Sequence, residues 1–125
     1  MEPDHTPTVN APLDERQCLR LLAGASVGRV VYTIGALPAV LPIRYRLGPD
    51  GSVLLHATAR SELVRAVSGA LVAFEAGEVD AADGTGWSVT VLGRADASAG
   101  RLPGQVAIRI RPELVTGRLL PDGPA

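Results

Sequence analysis

The sequence has no lysine, and its twelve basic residues are all arginine. With the abundant alanine and glycine, this usage reflects a high-GC genome more than a function. One cysteine, Cys18, excludes a disulfide framework and any cysteine-built zinc site. Two histidines, His5 and His56, are too few for a histidine metal site. Tyr32, Tyr45, Phe74 and Trp87 are the only aromatics, so the core must be aliphatic. No apolar run approaches the ~18–20 residues of a membrane span. The opening Met1-Glu2-Pro3-Asp4 is acidic, unlike a secretory signal. A net charge of −1 argues against an electrostatic nucleic-acid binder. The expectation is a cytoplasmic protein with no nucleic-acid or membrane partner.

What is present is the material of one domain. The chain has 125 residues, 46% hydrophobic and 20% charged, enough for a real core. Its 14 glycines and 10 prolines follow no period, which excludes collagen and points to many turns. Residues 1–12 carry three prolines without an apolar period and read as a flexible tail. Residues 13–120 read as the folded domain and 121–125 as a second tail.

A helix opens the domain. Asp14 is placed to cap it, and Gln17 completes a capping box. Leu13 and Cys18 fit the hydrophobic staple, and Cys18, Leu21, Leu22 and Ala25 form one apolar face. Gly24 reads as its stop. Strand grammar follows. Val27–Ile34 is β-branched, and Gly35-Ala36 is a turn. Leu37–Leu47 reads as one strand with Pro38 and Pro42 in it, which suits an edge or a bulge. Pro49-Asp50-Gly51 is a turn, because proline presets φ and glycine accepts positive φ. Val53–Ala57 is a strand, and Ser61 caps a short helix to Val67. Further strands are expected at Ala70–Ala76, Trp87–Ala95, Val106–Arg111 and Val115–Leu120. Arg109 and Arg111 alternate with Ile108 and Ile110, as in a strand with one wet face. Strand and helix do not alternate through the chain, so a doubly wound parallel sheet is excluded. The expected fold is mainly β: an antiparallel barrel or sandwich with peripheral short helices, the few aromatics suiting a small, tightly filled barrel interior.

Nucleophile elbows, nucleotide-hydrolase phosphate loops and G-x-G-x-x-G are all missing. Glu75, Glu78, Asp80 and Asp83 lack EF-hand spacing and read as a solvated loop, so no metal site is expected. No residue stands out as a general acid or base. The segment Thr58-Ala59-Arg60-Ser61-Glu62-Leu63 carries more information. It joins a strand to a helix start, where free N–H groups favour anions. Arg60 adds a bidentate phosphate donor.

In order and spacing, six segments resemble the pyridoxamine 5′-phosphate oxidase-like superfamily of FMN-binding split barrels. They resemble its short actinobacterial members most. The segments are S-V-G-R-V-V (Ser26 to Val31), L-P-A-V-L-P-I-R-Y (Leu37 to Tyr45), L-L-H-A-T-A-R-S-E-L (Leu54 to Leu63), V-A-F-E (Val72 to Glu75), G-W-S-V-T-V-L-G-R-A (Gly86 to Ala95) and I-R-I-R-P-E-L-V-T-G-R (Ile108 to Arg118). The resemblance covers residues 13–120. It implies a split barrel, a homodimer and an FMN-dependent oxidoreductase acting on a small molecule, with a nicotinamide cofactor as a possible electron donor. It implies that the flavin ring lies against Pro42, Ile43, Arg44 and Tyr45, flanked by Leu55, His56, Ala57 and Thr58. The phosphate falls at Arg60, Ser61 and Glu62, and the partner subunit offers Trp87 and Ser88. Similar sequences commonly read G-T-K-L at that turn, and here it reads R-S-E-L. Glu62 thus replaces the phosphate-neutralising lysine, which lowers the expected FMN affinity unless Arg60 compensates. Alternatively Arg60 pairs with Glu62 and closes the site. Deazaflavin or haem in the same barrel, haem with His56 as axial ligand, or a cofactor-free dimeric binding or regulatory module are the alternatives.

Overall fold

Alternation of apolar and polar side chains puts most of the chain into strands, one face packed and one wet. The computed structural model describes residues 11–120. The expected tail at 1–10, with His5, and that at 121–125 lie outside the described residues. The elements are β1 (Ala11–Leu13), α1 (Glu15–Gly24), β2 (Val27–Ile34), β3 (Leu37–Arg44), β4 (Arg46–Leu47), β5 (Val53–Thr58), α2 (Glu62–Val67), β6 (Leu71–Val79), β7 (Gly86–Ala99) and β8 (Gln105–Leu120). The strands form one antiparallel sheet in the order β3-β2-β6-β7-β8-β5-β4, and β1 pairs with β8.

Local chemistry explains the ends of these elements. Gln17 N–H donates to Asp14 Oδ1 (2.8 Å) and Asp14 N–H to Gln17 Oε1 (2.9 Å), closing the capping box at the start of α1. Cys18 and Leu22 are its fully buried residues. Gly24 is not a left-handed stop, because the chain leaves α1 through an extended Ala25 and enters β2 almost at once. Gly35 (φ +59) takes the first central position of the two-residue β2–β3 loop, where a side chain would be strained.

Four expectations change. Ala11 and Pro12 belong to β1, paired with Leu119 and Arg118, not to a tail. The strand expected over residues 37–47 breaks at Tyr45 into β3 and β4. The strands expected at 106–111 and 115–120 are one strand, β8. Gly93 pairs with Pro112 and Leu92 with Leu114, so Glu113 is the extra residue of a bulge. Pro112 lacks the N–H that a regular ladder needs, and the bulge accommodates it. Finally, β6 runs to Val79, so Glu75 and Glu78 are strand residues. Asp80 and Asp83 cap the following turn, accepting from Ala82 N–H (2.7 Å) and Thr85 N–H (2.9 Å).

The core is small and aliphatic, as the composition requires. Val30, Val53, Leu55, Val89, Val91, Ile108 and Ile110 fill it around Phe74. Phe74 meets Tyr45 edge to face, with ring centroids 4.7 Å apart. Gly28 makes room for that ring, since a Cβ there would stand 2.3 Å from Phe74 Cζ.

The break at Tyr45 closes the barrel. β3 and β4 end opposite sides of the strand order, yet one residue joins them. The sheet must therefore roll until its two ends meet at Tyr45. Tyr45 N–H donates to the Ser26 carbonyl (3.0 Å), and its hydroxyl donates to the Leu22 carbonyl at the end of α1 (2.6 Å). Beyond this pin no ladder joins β3 to β5. The barrel is split there.

Candidate functional site

The split is lined by two unlike strands. β3 is exposed on both faces: Leu37 is 72% and Val40 58% accessible. Its prolines fit this edge position. The Ile34–Leu37 pair flanking a two-residue loop exchanges ladder bonds, so residues 38, 40, 42 and 44 turn their backbone nitrogens to the free edge. Pro38 and Pro42 therefore forfeit no bond to β2. β5 alternates instead. Val53 and Leu55 are buried, whereas His56 and Thr58 are exposed.

This alternation divides the residues expected at a flavin. Leu55 is in the core and Ala57 packs against it. Ile43 also packs against the core, while Pro42 and Arg44 are exposed. Tyr45 is buried, and its hydroxyl is committed to Leu22. Burial, and secondarily the charge of Glu78, push that hydroxyl up to about 12. Its ring is thus a piece of the core and of the barrel seam.

The outward residues border three hollows around the split. Arg44, Arg46, Leu54 and His56 line one of about 170 Å³, together with Tyr45. His56, Ala57 and Thr58 line a second of about 310 Å³ with Leu102, Pro103, Gly104 and Gln105. Glu62, Arg65 and Ala66 line a third of about 290 Å³ against Thr33, Ile34 and Gly35. His56 thus borders two of the hollows. The split thus sets an exposed apolar strand beside outward polar side chains.

The turn before α2 has the cap that was expected. Ser61 Oγ accepts from Val64 N–H (3.3 Å). Arg60 is exposed, and its carbonyl accepts from Arg65 Nη1 (2.7 Å). No ion pair joins Arg60 to Glu62, so the pairing that would close the turn does not form. Glu62 instead faces the β2 end. Burial raises the pKa of the Tyr32 hydroxyl, and the Glu62 charge adds to the rise.

Trp87 and Ser88 are neighbours on β7 and so point to opposite faces. Trp87 packs against the core and lines a shallow hollow of about 660 Å³ with Glu78, Val79, Asp80, Thr85 and Gly86. That hollow shares no residue with the three at the split. Ser88 lies on the outer face, where its hydroxyl donates to Glu75 Oε2 (3.0 Å). Arg29 Nε donates to Glu75 Oε1 (2.8 Å), and its Nη2 reaches the same oxygen.

Next to this network runs a feature that the linear sequence hides. Val40, Val31, Ala73, Leu92 and Leu114 form an outward apolar row across five strands. Registered pairs join each to the next. Val40, Leu92 and Leu114 are exposed. Each strand supplies one residue, so only the register reveals the row. Among the described residues, no group of three or more His, Cys, Asp or Glu is arranged to hold a metal. No helix there is long and apolar enough to cross a membrane.

Comparisons with known proteins agree with this geometry. Residues 14–101 match the model of the pyridoxamine 5′-phosphate oxidase family. The chain is 36% identical over 133 residues to the uncharacterised protein Rv0080 of Mycobacterium tuberculosis, covering 88% of this chain and 86% of that one. The FAD-binding protein from Mycobacterium smegmatis superposes with a TM-score of 0.77 at 29% identity, over 90% of this chain and 99% of its own. The FAD- and haem-binding protein of the same organism superposes at 0.74 over 90% of this chain and 76% of its own; at 16% identity it shows the shared fold.

Proposed function

The chain belongs to the pyridoxamine 5′-phosphate oxidase family, and from that premise we propose that it is a homodimeric flavin-binding oxidoreductase. The observation that carries this reading is the unladdered split between β3 and β5, apolar on one side and polar on the other. Pro42 and the exposed face of β3 offer the ring an apolar surface. His56 and Thr58 offer hydrogen bonds from β5. Arg60 offers the phosphate end a guanidinium. The six-residue α2 is too short to contribute a large dipole, so side-chain charge must hold the anion. A bound flavin supplies the hydride and electron transfer, and the protein's part is to bind, orient and tune it.

The apolar row Val40–Val31–Ala73–Leu92–Leu114 supports the dimer. Contiguous apolar surface of this kind on a small domain marks an interaction face. The polar network Arg29–Glu75–Ser88 borders it, as polar groups rim an interface. In this reading a small-molecule substrate enters the split, and a nicotinamide cofactor is the first electron donor to screen.

The test is the absorbance spectrum of the purified protein, before and after adding flavin, with mass spectrometry of whatever denaturation releases. A yellow protein that releases FMN or FAD is the expected outcome. A protein that stays colourless, with no spectral shift in excess FMN or FAD, would overturn the flavin reading. A haem spectrum lost in His56→Ala, or binding of a deazaflavin alone, would replace it with those cofactors. A colourless dimer would indicate a binding module.

A further inference from the structure

The flavin placement above makes no use of the two charges at the seam. Arg44, Tyr45, Arg46, Leu54 and His56 line the hollow of about 170 Å³ there. Its shape follows from the closure of the barrel. Tyr45 is buried and fixed twice, by its N–H to the Ser26 carbonyl and by its hydroxyl to the Leu22 carbonyl. Extended chain alternates direction, so the residues on either side of an inward Tyr45 point outward. Arg44 ends β3 and Arg46 begins β4, and both are exposed. A rigid residue thus delivers two guanidinium groups to one hollow, one from each side of the seam.

Other arginines of the sheet have their charge met. Arg109 meets Asp50 (3.4 Å), Arg111 meets Asp96 (3.1 Å) and Arg29 meets Glu75. Among the described residues, Arg44 and Arg46 form no ion pair, and no carboxylate lines their hollow. Two like charges held together in this way favour an anion between them. The donors also say which anion. Phosphate sites draw on backbone N–H groups and hydroxyls beside cations. Here the Tyr45 N–H and hydroxyl are both committed, and no serine or threonine lines the hollow. Guanidinium forks suit the two coplanar oxygens of a carboxylate.

We propose that the seam hollow is a carboxylate subsite, so that the small-molecule substrate is a carboxylic acid. Arg44 and Arg46 hold the two oxygens and His56 adds a hydrogen bond. Leu54 gives the adjoining carbon skeleton an apolar contact. That the acid is the substrate rests on the flavin reading above. That the hollow binds a carboxylate does not.

Benzoate and its uncharged isostere benzamide are the probes, titrated by calorimetry into the purified protein with and without added flavin. Benzoate should bind at least about tenfold tighter than benzamide, and phenyl phosphate no tighter than benzoate. Arg46→Ala and Arg44→Ala should each weaken benzoate by about fivefold or more and leave benzamide unchanged. Arg46→Lys keeps the charge without the fork and should fall between Arg46→Ala and the parent protein. Because these side chains are exposed, thermal melts of the variants should match the parent. Flavin affinity of Arg46→Ala should match it too. Equal binding of benzoate and benzamide, tighter binding of phenyl phosphate, or benzoate binding indifferent to both arginines would overturn the subsite and leave the flavin reading standing. Arginine-dependent benzoate binding by a protein that takes up no flavin would keep the subsite and overturn its role in an oxidoreductase.

Discussion

The two sides of this barrel are built from similar residues and behave differently. β2 and β6, and the middle stretches of β7 and β8, alternate between an inward and an outward face, and their inward side chains are almost fully buried. Each of these strands has a ladder partner on both sides. β3 is as apolar as any of them, yet none of its residues is fully buried, only Ala39 and Ile43 touch the core, and it has a neighbour on one edge only. Hydrophobicity therefore does not by itself decide burial here. The register and the closing residue Tyr45 decide it. The filled side supplies stability, and the open side leaves an apolar strand exposed.

Three variants set the filled interior, the seam and the outward surface against one another. The largest effect belongs to Phe74→Ala at the centre of the filled side. It should cost about 3–5 kcal/mol in chemical denaturation, because the cavity would be enclosed by β-branched side chains that cannot collapse into it. A cost below about 1 kcal/mol would show that the interior is less tightly filled than its packing indicates. Tyr45→Phe probes the seam. It keeps the ring against Phe74 and removes the bond to the Leu22 carbonyl. Ala25 N–H still reaches that carbonyl (3.3 Å), so the loss should be about 1 kcal/mol.

The seam also has a pH signature. The folded-state value of the Tyr45 hydroxyl, about 12, lies above the ordinary 10.0, so folding favours its protonated form. The corresponding stability is fully present below pH 10 and is lost as pH rises towards 12. Tyr45→Phe should flatten this alkaline limb, and an unchanged limb would assign it to other groups. The smallest stability effect belongs to the outward apolar row, which runs across the outer faces of both sides. Val40→Asp with Leu92→Asp should change unfolding free energy by no more than about 0.5 kcal/mol each. The same pair should halve the mass seen by light scattering. An unchanged mass would overturn the row as a dimer face.

Much of this was legible in the sequence because local chemistry carries it. The capping box at Asp14 and Gln17, the Ser61 cap and the turns at Gly35 and Gly51 all follow from residues within a few positions of one another. Two prolines were equally readable: Pro38 and Pro42 suited an edge or a bulge, and they lie on an edge. The opposite directions of Leu55 and His56 follow from the period of a strand. What stayed hidden depends on distant partners. The residues around Tyr45 read as one strand on both sides of the break, and only the roll of the sheet divides them. β8 reads as two strands because nothing local says that β7 is long enough to pair with both halves. The outward row from Val40 to Leu114 draws its residues from five strands. Glu62 was visible as a departure from the lysine of similar sequences. Its position against Thr33–Gly35 was not, because α2 reaches the β2 end only in the folded chain.

Pro38 and Pro42 also bear on how the protein behaves when crowded with copies of itself. An open, apolar strand of eight residues is a ready template for uncontrolled growth of fibres. Of the four backbone nitrogens on its free edge, two belong to proline and carry no hydrogen. A strand arriving from another chain would find carbonyls but gaps in the donors it needs. β3 can therefore keep a greasy surface exposed in a concentrated solution, because its side chains stay accessible while its edge offers an incomplete backbone template.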